Sequence, residues 1–344
     1  MSRQKDLTRR EILLGVASMI PVNLFAHQQA ERDERPTLTI NVDVVNVFVT
    51  VRDKKGRLIK DLSQEDFTIR EDGRPQNIQY FAQESDLPLT VGLIVDTTPS
   101  EARMLEEERE ASRIFLNKML RPDKDSAFLV QYANEVELFQ GLTSSREDLE
   151  RGLGFLRPHS LMPSQTVLAD AICVVSNKIM KEQEGRKALI LLGDGGHCGN
   201  RREEAITAAH RADTLIYGIL IYDKNFGGMA GSGGEWPSMS GPGFGGQGSR
   251  RYNRTGDKAN LKTISTQTGG AYFEVTNKTT LGLIYETIEE ELRSQYNLGY
   301  VPDAKARNGY RKIAVDVRKK GLVVRGRRGY FSNIRKTKAA GRSK

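Results

Sequence analysis

Leu89-Thr90-Val91-Gly92-Leu93-Ile94-Val95-Asp96-Thr97-Thr98-Pro99-Ser100 decides how the chain is read. From Leu89 to Val95 the run is almost wholly apolar, the pattern of a strand buried on both faces of a parallel sheet. It stops at Asp96 and continues with hydroxyls at Thr98 and Ser100. A carboxylate and two hydroxyls at alternate positions bring oxygen donors together in one turn, which suits a hard divalent cation such as Mg²⁺. Asp-x-Thr-x-Ser is short enough to arise by chance, so its meaning depends on what the rest of the chain sets beside it.

Downstream of this run, apolar strands alternate with amphipathic helices. A helix is expected near 101–120, with Met104, Ala111, Phe115 and Met119 on one stripe, then a hairpin at 126–140. Helices follow near 146–156 and 167–182, the strand Ala188 to Leu192, a helix near 202–213 and the strand Thr214 to Tyr222. The pattern resumes with the helix Asn260 to Thr268, the strand Ala271 to Val275 and the helix Leu281 to Arg293. This alternation predicts an α/β fold with a doubly wound, mostly parallel, Rossmann-like sheet covered on both faces.

The flanking regions have the two-residue period of β-structure. Leu38, Ile40, Val42 and Val44 alternate in one phase and Val45, Val47, Val49 and Val51 in the other, which predicts a bulge at Val44-Val45. Short strands are expected at Ile59 to Leu62, Phe67 to Arg70 and Ile78 to Ala82, and after the α/β region at Tyr296 to Tyr300, Lys312 to Val317 and Leu322 to Arg327. The first group is thin for a domain of its own. The two groups are therefore expected to pack into one small β-sandwich, with the α/β unit inserted in or flanked by it.

The expected organisation is a signal segment at 1–30, a β-sandwich portion at 37–87, the α/β domain at 88–295, a second β portion at 296–332 and a basic tail at 333–344. Within the α/β domain, 226–256 is a Gly-rich insertion around Trp236 that reads as a mobile loop. Arg9-Arg10 ahead of a weak apolar run, Ile12 to Phe25, resembles a twin-arginine export signal, and that run is too short to span a membrane. Export to the periplasm or beyond is the expectation.

The net charge of +8 is local: Lys305 to Lys344 holds fifteen Lys or Arg against one acid, Asp316, a surplus of +14. A basic end on a balanced body reads as a solvated surface or an envelope contact, and no nucleic-acid recognition motif accompanies it. Cys173 falls in an apolar helical stretch and is expected in the core. Cys198 follows a glycine turn and is expected at the surface, and the spacing leaves a disulfide between them open.

The carboxyl ends of the parallel strands should share one edge, where open α/β sheets bind ligands. Ser164-Gln165-Thr166 precedes the helix at Leu168, and Leu192-Gly193-Asp194-Gly195-Gly196 ends the next central strand, so Thr166 and Asp194 should reach the edge that carries Asp96. This combination resembles the von Willebrand factor A (VWA) type domain with its metal-ion-dependent adhesion site, and within it the exported bacterial VWFA-related group. Asp61 to Phe67, Glu71-Asp72-Gly73, Tyr296 to Tyr300 and Gly329-Tyr330 resemble that narrower group. Matching the family motif assigns Asp96, Thr98, Ser100, Thr166 and Asp194 as ligands, with Thr98 where the family usually has Ser. The resemblance implies Mg²⁺, or Mn²⁺ or Ca²⁺, and a protein partner that supplies an acidic side chain to the cation's open position.

Enzyme signatures do not accompany the site. The turn after Val95 has no Gly-x-Gly-x-x-Gly, Thr98 stands where an aspartyl-phosphate phosphatase needs a second Asp, and neither a Gly-x-Ser-x-Gly elbow nor a Walker lysine occurs. His197 has no paired nucleophile. A non-enzymatic interaction module is expected, the alternatives being a cation-dependent hydrolase or a structural envelope protein with an empty site. A simpler role for Asp96, capping the following helix with Pro99 in its first turn, competes with the metal.

Overall fold

The described residues form fourteen strands and six α-helices. The computed structural model describes residues 44–83, 87–98, 103–159, 168–194, 198, 201–221, 254–302 and 309–332. The expected signal segment, Ser100, Thr166, His197, Trp236 and the tail at 333–344 lie outside the described residues. So does the Gly-rich insertion up to residue 253; residues 254–256 already belong to a helix.

In chain order the first elements are β1 (Val45–Asp53), β2 (Phe67–Glu71), β3 (Arg74–Gln76) and β4 (Ile78–Gln83). The α/β region follows: β5 (Leu89–Asp96), α1 (Leu105–Met119), β6 (Ser126–Tyr132), β7 (Val136–Thr143), α2 (Arg146–Phe155), α3 (Leu168–Lys178), β8 (Arg186–Gly193), α4 (Arg202–Arg211), β9 (Leu215–Leu220), α5 (Arg254–Thr268), β10 (Tyr272–Glu274) and α6 (Leu281–Arg293). The last strands are β11 (Tyr296–Tyr300), β12 (Gly309–Val317), β13 (Leu322–Gly326) and β14 (Gly329–Ser332). All described residues fall within one unit, Val42–Lys344.

The central sheet has the order β10-β9-β8-β5-β6-β7 and is parallel except for the β6–β7 hairpin. Every residue of β5 is buried, as its apolar run requires. Leu89, Val91, Leu93 and Val95 face α1, α2 and α6, while Ile94 faces α3, α4 and α5. Gly92 lies in register with Phe128 on β6 and Leu189 on β8, and a Cβ there would come within 2.3 Å of the Phe128 ring and 2.5 Å of Leu189 Cδ2. The bare backbone lets those two side chains meet across the middle strand.

Two four-stranded antiparallel sheets flank this unit, β13-β1-β11-β4 and β14-β12-β2-β3. Each combines strands from before and after the α/β region, as the alternation predicts. Val45, Val47, Val49 and Val51 of β1 share a core with Phe67, Ile69, Leu298, Tyr300 and Ile313. The Phe67 and Tyr296 rings lie 5.0 Å apart between centroids, within the favourable range for an aromatic pair. At the far end of this core Glu71 accepts hydrogen bonds from the hydroxyls of Tyr300 at 2.6 Å and Tyr330 at 2.9 Å, so its burial leaves it supplied with donors.

Some local expectations fail. Ile59 to Leu62 is not a strand: pairing stops at the single bridge Arg52–Leu58. The Tyr296 hydroxyl takes over, accepting from Leu62 N at 3.1 Å and donating to Ile59 O at 2.9 Å. The short β3, with Pro75 on its outer edge, and β14 go beyond the strands expected. The predicted bulge at Val44-Val45 falls where the described chain begins. The buried stripe of α1 is Leu105, Glu108, Ser112, Phe115, Leu116 and Met119, with Met104 and Ala111 only half-buried. Cys198, expected at the surface, is buried in the α3–α4 layer, while Cys173 is half-buried against the same core, and no disulfide joins them.

Candidate metal centre

β5 and β8 are neighbours in parallel, with Val95 opposite Leu192. Asp96 therefore stands level with Gly193, and Asp194 begins the loop one residue beyond the strand end. Gly193 has φ +153°, and a Cβ on it would lie 2.4 Å from Asp96 Cβ and 3.0 Å from Asp96 Oδ2. Only glycine lets the two strand ends approach this closely. On the other side Asp96 is in register with Tyr132, the last residue of β6.

Asp96 is 1% exposed. Its Oδ1 accepts from the backbone N–H of Thr98 at 2.9 Å, closing an Asx-type turn. The Thr98 hydroxyl and the Tyr132 side chain also hydrogen-bond to it. Thr97 N–H donates to Tyr132 O at 3.0 Å, and His159 N–H donates to Thr97 O at 2.7 Å. These bonds tie the Asp96 turn to its neighbours on one side. A groove of about 410 Å³ lined by Gln131, Glu137, Phe155, Arg157 and His159 opens there.

Burial, and then the negative charge of Asp194, push the Asp96 carboxyl up to about 7, against the opposing bonds from Thr98 and Tyr132. The Tyr132 hydroxyl is also driven upward, first by burial and then by Asp96 and Asp194. The sheet edge thus gathers negative charge that a cation would relieve.

The capping role does not describe Asp96. Helix α1 starts at Leu105, and its N-cap position, Met104, makes no side-chain cap bond. Of the expected ligands, Asp96, Thr98 and Asp194 are described and meet at this edge; Ser100 and Thr166 lie outside the described residues. The donors present are all oxygen, and Gly193 keeps a Cβ away from the Asp96 carboxylate. This fits a hard divalent cation.

Tyr132 and Glu108 belong to the same environment and are missed by motif reasoning. Pairing β5 with β6 in register would have found Tyr132. Glu108, in the first turn of α1, is 1% exposed and subject to the charge of Asp96. A helix pattern that counts acids as surface residues cannot find it. No helix among the described residues is long and apolar enough to cross a membrane.

The von Willebrand factor type A domain family matches residues 91–287. No curated protein matches the chain. Among solved structures, an aerotolerance-related membrane protein of Bacteroides fragilis aligns at 15% identity and TM-score 0.44, over 59% of this chain and 98% of that one. BatB of Bacteroides thetaiotaomicron aligns at 18% and 0.41, over 60% and 100%. Proximal thread matrix protein 1 of the mussel byssus, in a form with a zinc-occupied MIDAS motif, aligns at 13% and 0.45, over 65% and 50%. Such identities and scores say nothing about ligand or partner. The family match is of another kind, because it runs from inside β5 to inside α6 and takes in more than half of the 344 residues; the chain belongs to the von Willebrand factor type A domain family.

Proposed function

We propose that the chain is an exported adhesion-type module in which Asp96, Thr98, Ser100, Thr166 and Asp194 hold Mg²⁺, or Mn²⁺ or Ca²⁺, for recognition of an acidic side chain on a partner protein. The close approach of Asp96 to Gly193, the residue just before Asp194, carries this reading. When bound, the cation supplies an electrophilic position for a carboxylate oxygen. The protein's own part is to orient Asp96 through the Thr98 N–H and the Tyr132 side chain and to shield it from water. A binding role suits this set because hydroxyls neutralise less of the cation's charge than carboxylates would. On this reading 88–295 carries the site, 37–87 and 296–332 form the supporting sandwich, 1–30 directs twin-arginine export, and the tail at 333–344 meets the envelope.

Calorimetric titration with Mn²⁺ is expected to show one site in the wild type and none in Asp96→Ala. Binding should weaken from pH 8 to pH 5.5, because a proton and the cation compete for a carboxyl whose affinity for protons is raised. Equal binding by wild type and Asp96→Ala would remove the metal site, and a pull-down of envelope protein indifferent to chelator would remove the cation from recognition. For export, Arg9→Lys with Arg10→Lys should hold the precursor in the cytoplasm; unchanged secretion would refute the twin-arginine route.

A further inference from the structure

Four cations line one groove that the metal centre does not use. It holds about 800 Å³ and opens where β12, the end of β13 and the β13–β14 turn meet α4. Arg70, Lys312, Arg327 and Arg328 line it, and among the described residues no acid does. Arg70 is paired with Asp316 and Arg327 with Asp213, both outside the lining. Asp72 accepts from the Lys312 backbone N–H at 2.9 Å, but its carboxylate is engaged by the Arg311 guanidinium at 2.7 Å. The Lys312 and Arg328 side chains are exposed, and among the described residues neither makes an ion pair.

Arg327 is the most enclosed of the four, with 9% of its side chain exposed. Burial pulls its guanidinium down to about 10, so it stays charged at neutral pH. Lys187 and His210 line an inner recess with Arg327. There the Arg327 charge adds to burial in pulling Lys187 down to about 8 and in lowering His210. Asp213, itself 40% exposed, therefore leaves a positive surplus behind the groove. Half-buried Val315 and Val324 add an apolar strip to the lining. Tyr310 packs against His210 and Phe331, each 5.3 Å away between centroids, so its ring is engaged rather than offered as a stacking platform for bases or sugars. Cationic walls beside an aliphatic strip match an extended peptide in which acidic and apolar residues alternate.

We propose that this groove binds an acidic segment of a partner protein, its carboxylates on Lys312 and Arg328 and its apolar side chains on Val315 and Val324. Arg327 stands behind the two exposed cations and strengthens their field. The contact needs no metal ion and is independent of the Asp96 edge.

The test is fluorescence anisotropy of the full chain with a short labelled peptide of alternating Glu and Val, in chelator so that the metal centre takes no part. The wild type should bind it, and added salt should weaken binding. Lys312→Glu with Arg328→Glu should lower affinity about 10-fold or more. The same reversal at exposed Lys178 and Lys181, which changes net charge equally, should stay within about twofold of wild type. Lys312→Gln with Arg328→Gln guards against a folding defect: it should melt like wild type and still bind more weakly. Wild-type affinity in both folded double variants, or no binding by the wild type, would overturn the proposal. It would also fall if labelled heparin or single-stranded DNA lost binding in the Glu variant while the peptide did not. Each of these results leaves the metal centre to its own Mn²⁺ titration.

Discussion

Glu291→Ala is expected to cost about 3 kcal/mol of folding stability, the lower end of the range for stripping one partner from a buried ion pair. Glu291 is 1% exposed on α6, and its Oε1 accepts from Arg52 Nε at 2.9 Å, Arg52 Nη2 at 2.7 Å and Arg325 Nη1 at 2.6 Å. Those arginines stand on β1 and β13, so one carboxylate fastens the sandwich to the α/β unit. Its removal leaves two neighbouring cations with no counter-charge. Arg52 and Arg325 retain some access to water, at 18% and 36% of their side chains, which keeps the cost near the lower end. Urea unfolding reads the loss directly. A change below about 1 kcal/mol, the value of an exposed pair, would show that the contact fastens nothing.

Gly193→Ala should damage both stability and the metal centre. The new methyl would occupy the space of Asp96 Cβ, 2.4 Å away, on a backbone at φ +153° that L residues rarely adopt. Overpacking and unfavourable dihedrals together should cost about 2–4 kcal/mol. Displacing Asp96 should also reduce Mn²⁺ affinity at least about 10-fold. Gly154→Ala is the control: it lies on α2 with nothing within 4 Å of the added carbon, so alanine should be neutral or stabilising there by about 0.5–1 kcal/mol. If Gly193→Ala melted and bound Mn²⁺ like wild type, the close approach of the two strand ends would have no role in the site.

Much of the architecture was readable locally, for identifiable reasons. The almost wholly apolar run at Leu89–Val95 has the pattern of a strand covered on both faces, and its end at Asp96 places a carboxylate on the sheet edge. Amphipathic periodicity marked each helix of the α/β region. It misleads in α1, where the expected stripe of Met104, Ala111, Phe115 and Met119 leaves out Glu108, which is enclosed because α1 packs against α6 as well as the sheet. Ile59 to Leu62 looked like a strand by composition, but the Tyr296 hydroxyl, 237 residues away from Ile59, claims that backbone. Cys198 follows glycines, which suggests a surface turn, yet the α3–α4 layer closes over it.

Side-chain patterning two, three and four residues apart carries the choice of strand or helix and of buried or solvated face, so element types, the enclosed central sheet and the Asp96 turn were written in the chain itself. Partner choice across the fold is of another order. That Gly193 sits level with Asp96, that Tyr132 closes the other side, that Glu291 gathers two arginines and that Glu108 loses every partner all depend on strand register and helix docking. No neighbouring residue encodes these contacts, because they join segments that meet only when the whole core closes.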